Sequence, residues 1–121
     1  MEDCKDLDIL AVTTTVGSRP EAESLARAIL GRRLAACVQL EEGLTSFYRW
    51  QGRECEEAEV RLTIKTLPEC AAALQELLRE QHPYELPQFL ATPMRASPDY
   101  LAWVRGEVPL PPSPLAEPDA V

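Results

Sequence analysis

One pattern, written twice, constrains this chain more than any other feature. Ser18-Arg19-Pro20-Glu21 and Thr66-Leu67-Pro68-Glu69 share one form: a hydroxyl residue, then a proline, then a carboxylate three positions on. That spacing lets each side chain satisfy an orphan N–H at the start of a helix. A strand-like run precedes each copy. Residues 8–16 are rich in β-branched types, and Val60, Leu62 and Ile64 alternate with Arg61, Thr63 and Lys65. An apolar helical stripe follows each copy, first Ala22, Leu25, Ala26, Ile29 and Leu30, then Cys70, Ala73, Leu74, Leu77 and Leu78. The first stripe closes at Gly31-Arg32-Arg33, with positive charge at the helix C-terminus. The second ends near His82. Residues 34–40 and 86–94 read as further strands, the latter interrupted by Pro93. The order is βαββαβ, which predicts an α+β fold of the ferredoxin-like type: an antiparallel sheet with both helices on one face and right-handed crossovers. Ser97 and Pro98 then open a short third helix carrying Tyr100, Leu101, Trp103 and Val104.

The two halves meet in a long central hairpin. Residues 45–51 are β-prone, Gly43 reads as a strand break and Gly52 as the turn. A hairpin running from residue 45 to 64 exceeds the usual five or six residues per strand and leaves an edge that needs a partner. Residues 1–106 form one expected domain. Prolines at 109, 111, 112, 114 and 118 mark residues 107–121 as an extended or disordered tail.

The formal net charge of −8 argues against nucleic-acid binding, which relies on clustered Lys and Arg. No apolar run approaches the roughly 20 residues of a membrane helix, and the polar first residues do not resemble a signal peptide. Cys4, Cys37, Cys55 and Cys70 have no C-x-x-C spacing, so free thiols in a reducing, cytoplasmic setting are expected. Cys37, in Ala-Ala-Cys-Val, reads as a buried hydrophobe rather than a reactive thiol.

Histidine occurs once, at His82, in Gln81-His82-Pro83-Tyr84-Glu85-Leu86-Pro87. Two readings stand: a solvated residue where Pro-Tyr stops a helix, or a ligand or proton site beside an aromatic and a carboxylate. The acidic run at residues 54–59 lacks the spacing of an EF-hand loop and reads as a solvated hairpin end. Enzyme chemistry finds no support. The pattern forces no Ser/His/Asp set together, and there is no phosphate-cradling glycine loop or metalloprotease helix.

Several runs in order resemble the CutA, or divalent-cation tolerance, family. They are Leu34-Ala35-Ala36-Cys37-Val38, Thr45-Ser46-Phe47-Tyr48-Arg49-Trp50-Gln51-Gly52, Glu59-Val60 leading to Lys65-Thr66, His82-Pro83-Tyr84-Glu85-Leu86-Pro87, and Tyr100-Leu101-Ala102-Trp103. The resemblance implies a ferredoxin-like, non-enzymatic, PII-like homotrimer in which neighbouring subunits complete each other's sheets. It implies a link to copper and other divalent cations, with no cofactor certain. Copper-binding members carry a Cys in the first strand and a His-His-Pro-Tyr run. Thr14 and Gln81 stand at two of those ligand positions here and His82 at the third, which leaves His82 and Glu85 as candidate metal residues. Cys37, Tyr48, Trp50, Glu59, Lys65 and Tyr84 are the expected cleft or interface residues. The polar members read either as a salt-bridge lattice between subunits or as a small-molecule pocket of the PII-like kind. Gln88 and Gln39 depart from the family's usual Glu and Asn.

Overall fold

The structure, a computed structural model, describes residues 8–112. The order is β1 (Ile9–Val16), α1 (Arg19–Gly31), β2 (Cys37–Trp50), β3 (Arg53–Thr66), α2 (Ala71–Gln81), β4 (Leu90–Met94) and α3 (Pro98–Glu107). The strands form one sheet in the order β2-β3-β1-β4, every neighbouring pair antiparallel. This is the ferredoxin-like arrangement the repeat predicts.

The alternation of β1 and β3 builds the core. Leu10, Val12 and Val16 of β1 and Val60, Leu62 and Ile64 of β3 join Ala22, Leu25 and Ile29 of α1 and Leu74, Leu77 and Leu78 of α2 in one buried cluster. Burying each such Leu or Ile is worth about 1.5–3 kcal/mol. A second cluster, made by Ile9, Leu67, Cys70, Val104 and Val108, fixes α3 to the domain. Val108 is buried, so the anchored chain runs past the boundary expected after residue 106. Residues 113–121 of the expected tail, and Cys4, lie outside the described residues.

The two capping boxes fare differently. Ser18 Oγ accepts from the Glu21 N–H at 3.3 Å, as the spacing predicts. Thr66 does not cap α2. Its fully buried hydroxyl donates to the Leu34 carbonyl at 2.6 Å, and a 3-10 turn at Pro68–Cys70 leads into the helix instead. Ser97 caps α3, accepting from the Tyr100 N–H. The last strand begins at Leu90 rather than at residue 86, since Pro87 has no N–H for the ladder. Pro93 is tolerated because β4 is an edge strand paired only with β1.

Gly43 does not end its strand. At φ +85° it forms a bulge, and β2 continues to Trp50. The bulge shifts the register between Glu41 and Leu44, so the face that carries Cys37, Gln39 and Glu41 carries Leu44, Ser46, Tyr48 and Trp50 beyond it. Gln51 and Gly52, both at positive φ, close the hairpin in a tight two-residue turn. The last β1–β3 pair is Val16–Val60, yet β2 and β3 stay paired from Leu44–Glu59 out to Trp50–Arg53. Seven residue pairs therefore project as a two-stranded arm beyond the sheet.

Candidate functional site

Where β1 stops and the arm continues, the chain leaving α2 crosses over and makes a cleft of about 930 Å3. One wall is the arm. Ser46, Tyr48 and Trp50 share a face with Glu57 and Glu59 through the register pairs Ser46–Glu57, Tyr48–Cys55 and Trp50–Arg53. The other wall is residues 83–88, and Thr15 closes one end of the lining. Residues 83–86 run as consecutive bends and 87–89 carry no regular structure, so this wall spans the gap without joining the sheet.

His82 ties this wall to the sheet. Its backbone N–H donates to the Leu78 carbonyl and ends α2, while its own backbone is extended, as the following proline requires. The ring turns inward and is only 8% exposed. Nε2 stands 2.9 Å from the Thr15 carbonyl and 3.1 Å from Thr14 Oγ1, and Nδ1 accepts from the Tyr84 N–H at 3.1 Å. A carbonyl can only accept, so Nε2 carries the proton and the ring is neutral. Burial lowers the imidazole below its ordinary value, with the Thr15 hydrogen bond, Glu21 and Glu59 opposing. The solvated reading of His82 is therefore overturned. The imidazole is a buried crosslink between β1 and the cleft wall, and the Tyr84 ring packs edge-on against it with centroids 4.9 Å apart.

Glu59 is the second centre. It is 8% exposed, unlike the exposed Glu54, Glu56 and Glu57 of the same acidic run, so the solvated-end reading fails at this position. Ser46 Oγ donates to its Oε1 at 2.6 Å and Tyr84 Oη to its Oε2 at 2.5 Å. Each carboxylate oxygen thus accepts one short, charge-assisted bond. Burial first, and then the bond to Glu59, push the Tyr84 phenol well above its ordinary value. The sequence reading missed Ser46. Unbroken alternation from Cys37 places Ser46 on the opposite face, and the Gly43 bulge restores it to the face of Glu59.

The cleft gathers Tyr48, Trp50, Glu59 and Tyr84 of the cleft or interface candidates, together with the metal candidate Glu85. It does not gather Cys37 or Lys65. These two are register partners at the other end of the β2–β3 ladder, four pairs before the bulge, because antiparallel pairing sends the start of one strand to the end of the next. Cys37 is half-buried rather than fully buried. Cys70, by contrast, is buried, and burial raises its thiol above the ordinary value, the mark of an inert cysteine.

Thr14 and His82, the two positions that the resemblance sets against copper ligands, do meet in space. Both imidazole nitrogens are already engaged, however, and a hydroxyl is a poor ligand for copper. Glu85 is exposed and lines the cleft. Among the described residues no three His, Cys, Asp or Glu side chains come together as a metal-binding group.

Comparison with known proteins identifies the family and agrees with the fold. Residues 10–107 match the family described as CutA1 divalent ion tolerance protein. The chain is 41% identical over 95 residues to the divalent-cation tolerance protein CutA of Thermus thermophilus, covering 78% of this chain and 92% of that one. It is 37% identical over 100 residues to the Yersinia pestis protein of the same name, covering 82% and 84% respectively. The solved structure of CutA from Synechococcus elongatus superposes with a TM-score of 0.80 at 39% identity, covering 85% of this chain and 92% of that one. The chain belongs to the CutA family of divalent-cation tolerance proteins.

Proposed function

We propose that this protein acts as a non-enzymatic, cytoplasmic homotrimer in divalent-cation tolerance, with no direct high-affinity copper site in a single chain. The observation that carries the assembly is the arm. A two-stranded hairpin is marginal alone in water, and this one projects seven pairs past the sheet. It also holds Phe47 at 73%, Tyr48 at 44% and Trp50 at 38% exposure. Pairing between copies satisfies its edge and covers those rings. Light scattering on the purified chain tests this. A mass three times the 13.5 kDa chain supports the proposal, and a monomer overturns it.

The metal half of the proposal follows from His82. Copper at Nε2 or Nδ1 breaks either the Thr15 or the Tyr84 bond, so affinity through this ring is low. Copper titration of wild type and His82→Ala separates the cases. Micromolar or tighter binding that disappears in the variant overturns the claim.

A second reading is a PII-like module that binds a small ligand between subunits. It is favoured by the 930 Å3 cleft, which falls in the usual 300–1,000 Å3 range of ligand sites. A thermal-shift screen against nucleotides, amines and other metabolites tests it, and no hit counts against it.

A further inference from the structure

We propose that the proline-rich segment opening at Pro109 is a docking motif for a partner protein whose groove is lined by aromatic rings and flanked by Lys or Arg. The segment leaves the domain far from the arm. Val108, which anchors it, packs with Ile9 and Leu67, at the start of β1 and just past the end of β3. The arm departs from the other end of the same strand pair, at Val16–Val60.

Five of the ten residues 109–118 are proline. Proline has no N–H, so such a run neither continues α3 nor joins a sheet edge readily. It also lies outside the shared domain. The family match ends at residue 107, and 78% of this chain already covers 92% of the Thermus thermophilus relative. Neither the fold nor what the family shares accounts for this composition.

The structure shows how the segment is presented. Val108 is buried and its N–H donates to the Val104 carbonyl at 3.1 Å, so α3 is pinned up to the residue before the first proline. Pro109, Leu110 and Pro111 are exposed directly beyond it. Three of the four residues 109–112 are proline, with φ already set, so little backbone freedom is lost when a partner orders them. Residues 110 and 111 bend in the unbound chain, and a groove has to draw them out. In the polyproline II form, with about three residues per turn, Pro109 and Pro112 fall on one face. Aromatic-lined grooves take that spacing, ring against ring.

Charge narrows the partner further. No Lys or Arg follows Arg105, which belongs to α3, whereas Glu117 and Asp119 are interspersed with or follow the prolines. A groove with acidic flanks repels that sequence, and Lys or Arg beside the rings attracts it. An anionic lipid surface is excluded on the same ground.

The test uses the full chain in its native assembly and a panel of purified, isotope-labelled WW, SH3 and EVH1 domains that includes grooves with basic and with acidic flanks. The expected result is saturable binding to at least one basic-flanked domain, with NMR shifts confined to its aromatic groove, and weaker binding to acidic-flanked ones. Joint replacement Pro109→Ala and Pro112→Ala is expected to weaken binding about tenfold or more, as is Glu117→Lys with Asp119→Lys at low salt. Both prolines lie beyond Val108, the last buried residue of the described chain, and an unchanged melting temperature establishes that folding is intact. Absence of binding to every domain overturns the proposal. Binding that survives the proline replacements places the contact elsewhere on the protein and also overturns it. Preference for acidic-flanked grooves overturns the partner's stated chemistry. A shift of the Trp103 indole resonance on proline replacement, with no domain bound, assigns the segment to its own α3 and overturns the proposal equally.

Discussion

Tyr84 donates its hydroxyl to Glu59 across 2.5 Å, joining the chain after α2 to the base of the arm. The two residues are 25 apart in sequence, and the bond is the direct side-chain link between the cleft's two walls. Glu59 in turn holds Ser46 of β2, while Tyr84 holds His82 through its backbone N–H. A line of hydrogen bonds thus runs from β1 through His82, Tyr84 and Glu59 into the arm.

Removing the phenol leaves a buried carboxylate with one hydroxyl instead of two. Tyr84→Phe is expected to destabilise the protein by about 1–3 kcal/mol, measured by chemical denaturation, although the ring itself is retained. The same bond sets an alkaline limit. The native Tyr84 phenol ionises above its unfolded value of about 10, so its contribution is intact below that pH and is lost as pH rises past it. Wild type is expected to lose stability above about pH 10 more steeply than Tyr84→Phe. Parallel curves for the two proteins contradict the assignment.

The single histidine gives a clean acid-side measurement, because its proton resonance has no competitor. The native imidazole lies below its unfolded value of about 6.5, so the unfolded chain binds a proton first as pH falls. Stability is undiminished above about 6.5, falls from there to the native midpoint, and is flat again below it as far as this group is concerned. Protonation also places a donor on Nδ1 against the Tyr84 N–H donor. The NMR midpoint of His82 is expected below 6.5. In His82→Gln the stability slope between 6.5 and that midpoint should vanish; a midpoint above 6.5 contradicts the buried neutral ring.

The fold was readable where one signal acted locally. Val60, Leu62 and Ile64 alternate without interruption, and Ser18 and Ser97 cap the helices that their spacing announces. The site was only half readable, because it depends on events that act at a distance. Thr66 has the spacing of a cap, but burial against the Leu34 carbonyl claims its hydroxyl. Lys65 and Glu59 are both polar residues of one strand, yet Lys65 lies at the first pair of the ladder and Glu59 at its middle, on the far side of the bulge. Ser46 reaches Glu59 only because one residue upstream inserts a bulge. A pattern of alternating side chains cannot reveal where its own phase changes.

The arm's exposed face gives a test of assembly independent of metal. Phe47 is the most exposed of its aromatics, and Phe47→Lys adds a charge without removing a buried contact of the isolated chain. If copies pack on this face, burying that charge unpaired costs several kcal/mol per interface. The variant is then expected to remain folded by circular dichroism but to run at lower mass in light scattering. An unchanged mass excludes Phe47 from the contact between copies.

The bulge at Gly43 offers the sharpest link between one backbone angle and the cleft. A Cβ at this position meets nothing within 4 Å, so substitution is not opposed by packing. Its φ of +85° is nonetheless strained for any residue with a side chain. Asn visits positive φ at modest cost, whereas a β-branched residue does not. Gly43→Asn should therefore cost less than Gly43→Val, for which about 1–3 kcal/mol is expected. Should valine remove the bulge instead of straining it, β2 beyond residue 43 changes faces, and Ser46 and Tyr48 leave the side of Glu59. That outcome is distinguishable because Trp50 changes faces with them, and its fluorescence shifts in the folded protein. A Gly43→Val protein with full stability and unaltered Trp fluorescence contradicts the role assigned to the bulge.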